Sequence, residues 1–199
     1  MTRFVLASAS PARLETLRRA GVEPEVIVSG VAEDTVVARC AEDLVERLAE
    51  LKALAVAEQI EGVALVLGCD SLLELDGRPL GKPGSVAVAA QRWREMRGRT
   101  GTLITGHCLV DTGSGQRAAR SAGTAVRFAD LSDAEIDAYC ATGEPSAVAG
   151  GFTIDGLGGW FVDGVDGDHH NVVGLSLPAL RVLLRELGYG LGDIGYPAG

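Results

Sequence analysis

Leu6-Ala7-Ser8-Ala9-Ser10-Pro11-Ala12-Arg13 is the stretch from which the fold can be read. Ahead of it, Arg3-Phe4-Val5-Leu6 has the character of a short buried strand. Ser10 stands where a helix N-cap belongs, and Pro11 takes the first helical position, where its missing N–H costs nothing. Leu14, Leu17 and Arg18 continue at helical spacing, and Gly21 ends the helix. A strand feeding a helix through a small, hydroxyl-rich turn leaves backbone N–H groups free at the positive end of the helix dipole. Ser8, Ser10 and Arg13 add side-chain donors. Read by itself, the turn is either an anion site suited to phosphate or a capped helix start without a ligand.

The whole chain narrows the setting. Its 199 residues, 47% of them hydrophobic, suit one domain or one fold with two lobes. A net charge of −9 argues against general electrostatic binding to nucleic acid or an anionic membrane. Phosphates, if bound, must then meet a few local cations, with a metal as their complement. No apolar run reaches membrane-spanning length, and the first residues lack the charged start, apolar core and cleavage site of a signal peptide. Cys40, Cys69, Cys108 and Cys140 are isolated, with no CxxC pair, and read as reduced core residues of a cytoplasmic protein rather than zinc ligands.

Beyond the first helix, Glu25 to Ser29 reads as a strand, and the loop Gly30 to Thr35 carries Glu33 and Asp34. Ala41 to Gln59 is the longest helical pattern, with Leu44, Leu48, Leu51 and Ala55 as its apolar stripe. Lys52 borders that stripe, where a lysine either snorkels to water or turns into a cleft to hold phosphate. Val63 to Gly68 is a nearly continuous apolar run of central-strand type. It ends in Cys69-Asp70-Ser71 and resumes over Ser71 to Leu75, before the hairpin turn Asp76-Gly77. Asp70 caps no helix, and its place at the end of a central strand is where open sheets bind ligands. Lys82 follows between flexible Gly81 and rigid Pro83.

Ser85 to Arg97 predicts a helix with Val86, Ala89, Ala90, Trp93 and Met96 inward, and Arg92, Arg94, Arg97 and Arg99 on a solvated face. Thr102 to Val110 and Ser121 to Phe128 are strands around Thr112-Gly113-Ser114-Gly115, and Ser132-Asp133-Ala134-Glu135 is a capping box opening a helix to about Ala141. Thr142 to Gly174 is crowded with glycines but interleaved with Phe152, Ile154, Trp160, Phe161 and Val162, so it reads as an ordered segment able to approach a ligand closely. His169-His170 read as loop residues with exposed side chains rather than a metal pair. Ser176 to Leu187 closes the fold as an amphipathic helix. A single domain over 1–188 and a flexible tail over 189–199 are expected.

Leu6-Ala7-Ser8-Ala9-Ser10-Pro11-x-Arg13, Cys69-Asp70-Ser71, Leu80-Gly81-Lys82-Pro83, Thr142-Gly143-Glu144-Pro145 through Ala149-Gly150-Gly151-Phe152-Thr153-Ile154-x-Gly156, and Gly167-x-x-x-Asn171-Val172-Val173-Gly174-Leu175 occur in the order seen in the Maf family. Over residues 4 to about 188 the chain resembles these nucleoside triphosphate pyrophosphatases, also described as septum-formation inhibitors. The resemblance implies cleavage between the α and β phosphates of a nucleoside triphosphate, giving a monophosphate and pyrophosphate. It implies a mixed α/β (α+β) fold like that of the inosine triphosphatase group, an elongated mixed sheet flanked by helices with two lobes around a cleft. It also implies a divalent cation (Mg²⁺ or Mn²⁺) and a homodimer. Carried over by residue, Ser8, Ser10 and Arg13 match the phosphate loop. Glu33, Lys52, Asp70 and Lys82 match the catalytic set, with Asp70 as proton acceptor and Glu33 and Asp70 as metal ligands. Ser71, Gly143, Glu144, Gly151 and Thr153 fall at substrate-contact positions, with the Gly-rich segment taking base and sugar.

The chain departs from the family pattern in ways that bear on substrate choice. Family members usually carry a second Arg at Ala12, often His at Gly101, and in many cases Asp-Lys at Ala147-Val148. The branch specific for dTTP and UTP carries Arg, Thr and Gln where this chain has Ala12, Ser71 and Thr153. A Gln amide can donate and accept together, and a short hydroxyl has less reach. The expectation is therefore a broader pyrophosphatase. A nucleotide-binding regulator of division with little turnover, and a house-cleaning enzyme for noncanonical purine triphosphates, are the alternatives. Two carboxylates beside three cations favour catalysis over binding alone.

Overall fold

The strands of the computed structural model, which describes residues 1–197, lie in one seven-stranded mixed sheet. The elements are β1 (Arg3–Leu6), α1 (Pro11–Arg19), β2 (Glu25–Val26), α2 (Ala41–Ala57), β3 (Ala64–Leu75), β4 (Arg78–Leu80), α3 (Val86–Met96), β5 (Thr100–Asp111), β6 (Arg117–Phe128), α4 (Asp133–Ala141), β7 (Val162–Asp166), α5 (His169–Val173) and α6 (Leu177–Glu186). The sheet order is β2-β1-β3-β5-β6-β7, with β4 also paired to β3. β1 is parallel to β2 and β3, whereas β4 and β7 run antiparallel to β3 and β6. The chain forms two compact units. The first holds Met1–Asp70, Thr105–Ala122 and the residues from Gly174 onward; the second holds Ser71–Ile104 and Gly123–Val173.

In the first unit, strand alternation divides the core in two. Val5, Ala64, Val66, Cys108 and Val110 pack against Ala49, Ala53 and Val56 of α2. Phe4, Leu6, Leu65, Leu67, Cys69 and Leu109 pack on the other face with Leu17 of α1 and Leu180, Leu183 and Leu184 of α6. A period of two therefore puts Gly68 and Asp70 on the α2 side of β3. The helix lies directly on the strand there. A Cβ at Gly68 would collide with Ala49 O and stand 2.7 Å from Ala53 N, and one at Gly106 would stand 2.6 Å from Glu46 N. These two glycines serve close approach, not turning.

This approach rotates α2 from the expected face. Its buried residues are Ala41, Val45, Leu48, Ala49, Lys52, Ala53 and Val56, and Leu51 is 42% exposed. Lys52 lies at the centre of the inner face rather than at its border, because its charge has partners there. The break expected at Asp70 is also absent, since β3 runs unbroken to Leu75. The Glu25 to Ser29 strand is confined to Glu25–Val26.

The second unit is centred on Trp93, fully buried in α3. Phe128, Tyr139 and Phe161 meet it edge-to-face at centroid distances of 5.6, 5.5 and 6.0 Å. The turn from β3 to β4 has φ values of 52° at Asp76 and 73° at Gly77, the paired positive values that a tight two-residue hairpin requires. The capping box at Ser132 is present, with both Ser132 and Glu135 engaged. The arginines on and just after α3 are tied down by acids: Arg94 to Asp137, Arg97 to Asp133 and Arg99 to Asp76.

Three further expectations are corrected. β7 was hidden among the glycines and forms because Val162 and Val165 pair with β6. His169 and His170 open α5 rather than occupying a loop, though both are exposed. Residues 189–197, expected as part of a flexible tail, make contacts with the rest of the first unit. Tyr189 Oη donates to Asp111 at 3.1 Å, Thr2 N–H donates to Asp193 O at 2.7 Å, and Ile194 is buried in the α6-side core. Residues 198 and 199, also assigned to that tail, lie outside the described residues. Among the described residues, no helix is long and apolar enough to cross a membrane.

Candidate active site

β1 ends at Leu6, whose partner on β3 is Leu67. β3 continues past that point, so its next residues have no β1 neighbour, and the turn after β1 comes to lie beside them. Arg13, from the first turn of α1, fills the gap. Its Nη1 donates to Cys69 O at 2.8 Å and to Ser8 Oγ at 3.1 Å, and its Nε donates to Gly174 O at 2.8 Å. Ser10 Oγ accepts from Arg13 N–H at 3.4 Å, and Ser10 N–H donates to Ser8 Oγ at 3.2 Å. The predicted cap is in place, in the turn that joins β1 to α1. The guanidinium is clamped by two main-chain carbonyls, neither of which a side-chain pattern reveals.

One residue beyond Cys69, Asp70 points to the α2 side. Lys52 Nζ lies 2.6 Å from Asp70 Oδ1 and 2.6 Å from Glu33 Oε1. Glu33 reaches in from a single 3₁₀ turn, Glu33–Thr35. Side-chain exposure is 9% for Lys52 and 13% for Asp70 but 44% for Glu33, so Glu33 forms the wetter rim of the group. Ser8, Ser10, Arg13, Glu33, Lys52 and Asp70 are thus brought together within the first unit, as the motifs foresaw.

The two carboxylates also bear on metal binding. Asp70 Oδ1 and Glu33 Oε1 both converge on the Lys52 ammonium, and each carboxylate has a second hard oxygen of the kind that suits Mg²⁺ or Mn²⁺ with polyphosphate, which needs only one or two protein carboxylates. Among the described residues, no group of three or more His, Cys, Asp or Glu side chains could hold a metal. A cation here would therefore complete its shell from water and phosphate oxygens. Cysteine chemistry is disfavoured by burial, which pushes the Cys69 and Cys108 thiols up to about 11 and about 12.

Ser71, Lys82, Gly143, Glu144, Gly151 and Thr153 belong to the second unit. Ser71 follows Asp70 in β3 and is half-buried. Lys82 is exposed, on a loop held from both sides: Arg92 donates to Gly81 O, and Gly84 N–H donates to Ser146 O at 2.9 Å. Gly151 has φ 76° and its carbonyl accepts from Trp93 Nε1 at 2.8 Å. Gly143, φ 82°, ends α4 and turns Glu144 back beneath the helix. Glu144 Oε1 accepts from Tyr139 Oη at 2.8 Å and from Thr153 Oγ1 at 2.6 Å. Burial would raise its pKa, but these bonds and the Leu157 and Gly158 N–H groups hold it below the ordinary value. Tyr139, whose hydroxyl is raised by burial and by Glu144, was not singled out by sequence, although an aromatic hydroxyl five residues before a glutamate at a helix end could have drawn notice.

Fold and site together define a class: a mixed α/β protein with a hydroxyl-rich strand–turn–helix beside a lysine-bridged carboxylate pair. Residues 3–187 match the family model described as Maf-like protein, and the chain belongs to the Maf family. It is 56% identical over 198 residues to a nucleoside triphosphate pyrophosphatase of Streptomyces coelicolor, covering 98% of this chain and 96% of that one. A protein of the same name from Salinispora tropica is 57% identical over 189 residues, covering 93% and 84%. Among solved structures, a HAM1 protein from Coxiella burnetii matches with a TM-score of 0.46 at 18% identity, covering 66% of this chain and 75% of that chain.

Proposed function

We propose that this chain is a nucleoside triphosphate pyrophosphatase, hydrolysing the α–β phosphate bond of (d)NTPs to a nucleoside monophosphate and pyrophosphate. The observation that carries the reading is Lys52 Nζ at 2.6 Å from both Asp70 and Glu33, beside a turn in which Arg13 is clamped against Ser8. The names of full-length relatives at 56% and 57% identity support it.

Hydrolysis at the α phosphorus needs an oriented water, a proton acceptor and neutralisation of the polyphosphate. Asp70 takes the proton as the water oxygen bonds to the α phosphorus, the bond to the bridging oxygen breaks, and pyrophosphate leaves. Lys52 fixes the direction of the Asp70 carboxylate and keeps positive charge against the reacting phosphate. The α1 N-terminus, Ser8, Ser10 and Arg13 bind phosphate oxygens. Lys82, in the second unit, is assigned a catalytic role by the family resemblance. Glu33 and Asp70 would hold a divalent cation, which when bound supplies charge neutralisation to the phosphates. The homodimer implied by the family is part of this proposal. So is a cytoplasmic location, which the four free thiols support.

Substrate range follows from Ala12 and Thr153, which replace the long Arg and Gln of the dTTP/UTP branch, while Ser71 keeps the hydroxyl of that branch's Thr. Several triphosphates should be accepted within about two orders of magnitude, since shape alone discriminates by only ~10–200-fold. The test is a panel of canonical and noncanonical triphosphates with Mg²⁺, scoring pyrophosphate and orthophosphate separately. Pyrophosphate from several bases supports the reading. Activity on dTTP and UTP alone, with all others more than about a thousandfold down, removes the breadth. Tight binding without turnover returns the chain to the regulator class.

A further inference from the structure

We infer that Glu144 is a positioning residue for base recognition: its carboxylate locks Thr153 and the turn at Leu157–Gly158 into one shape, and the Thr153 hydroxyl acts through Glu144 rather than on the base. The inference rests on the pyrophosphatase reading and assigns Glu144 and Thr153 a role other than direct substrate contact.

Glu144 accepts from two side chains and two main-chain groups. Tyr139 Oη and Thr153 Oγ1 reach Oε1 at 2.8 and 2.6 Å, Gly158 N–H reaches Oε1 at 3.1 Å, and Leu157 N–H reaches Oε2 at 3.1 Å. A carboxylate only accepts, and a hydroxyl has one proton, so the proton of Thr153 is committed to Glu144. The glycines around the group leave no slack. A Cβ at Gly156 would stand 2.8 Å from Glu144 Oε2, and one at Gly158 would stand 2.6 Å from Thr153 O. Gly159 adds a third close approach, 2.6 Å from Ile154 O. A segment closed so tightly on one carboxylate presents a fixed main-chain surface, and main-chain N–H and C=O groups can read a base edge as side chains do.

A double-mutant cycle separates the two roles. Glu144→Gln turns one acceptor into a donor facing donors, and Thr153→Val removes the hydroxyl at similar volume. The expected result is a KM raised roughly tenfold or more by each, for a purine and a pyrimidine triphosphate alike, with kcat within about threefold of the parent. In the double variant, Thr153→Val should add nothing to Glu144→Gln, and Thr153→Ser should recover most of the lost KM. Additive losses, or a selectivity ratio that Thr153→Val shifts even when Glu144 is Gln, would place the hydroxyl on the base and overturn the inference. A lowered melting temperature with KM unchanged would overturn it too. Should Glu144→Gln fail to fold, Tyr139→Phe replaces it in the cycle with the same expectations. Calorimetric binding of nucleoside monophosphates to these proteins reads the cycle without turnover. A parent that yields no pyrophosphate thus sinks the proposed reaction and leaves the cycle measurable.

Discussion

Asp70 in the first unit and Glu144 in the second are both half-buried carboxylates, but Asp70 faces the ammonium of Lys52 while Glu144 faces only neutral donors. The contrast separates two uses of buried charge. A carboxylate against a cation keeps its charge at a defined point, which suits the proton transfer proposed for Asp70. A carboxylate ringed by hydroxyl and amide donors has no charge partner, and its effect is to fix the surrounding main chain. The glycines divide in the same way. Gly68 and Gly106 lie in strands and let α2 approach, whereas Gly143, Gly150 and Gly151 have positive φ and let the chain turn.

The sharpest break in the comparison is Asp70→Asn. It should leave the fold intact and reduce pyrophosphate release by on the order of 10² to 10⁴, because an amide cannot take the proton. Steady-state kinetics on the best nucleotide, with circular dichroism as the fold control, checks this; an unchanged rate in a folded variant would remove Asp70 from the chemistry.

Arg13→Ala comes next, with a loss of about 10- to 100-fold in triphosphate affinity and a smaller loss for the monophosphate. Calorimetry with both ligands decides it, and equal losses would take Arg13 out of the phosphate site.

The two kinds of glycine give a paired test. Gly68→Ala should cost on the order of 1–3 kcal/mol or more through overpacking. It should also lower kcat, because α2 carries Lys52. Gly143→Ala meets nothing within 4 Å and should cost about 1–2 kcal/mol from its left-handed backbone alone. Asn, which tolerates that backbone, should recover part of the loss at 143 and none at 68. Denaturant unfolding measures all four.

The smallest effect concerns pH. The folded Glu144 carboxyl lies below its ordinary value of 4.5, so its contribution is full above that pH and is lost as pH falls through the folded value. The difference in melting temperature between the parent and Glu144→Gln should narrow on going from about pH 7 to about pH 3. A gap that widens on acidification would contradict the assignment.

Features written locally in the chain were legible from it. Ser10-Pro11, Asp76-Gly77 and the Ser132 box act within four residues, and each forms the element expected. The candidate site residues were named from motifs, and the structure brings Glu33, Lys52 and Asp70 into contact. What was not legible depends on contacts far apart in sequence. Lys52 is turned inward by Glu33 and Asp70, 19 and 18 positions away, so a stripe drawn from leucines alone misplaced the inner face of α2. Asp70 looked like the end of a strand because polarity usually marks one, and the pairing of β3 with other strands carries the ladder through it. The segment after Leu187 lacks a hydrophobic period, and one buried Ile194 with a few hydrogen bonds suffices to dock it.

The reaction itself is tested most directly by hydrolysis in ¹⁸O-enriched water with Mg²⁺, with mass analysis of both products. Attack at the α phosphorus predicts one heavy oxygen in the nucleoside monophosphate and none in the pyrophosphate. Label in pyrophosphate, or release of orthophosphate and a diphosphate, would contradict it.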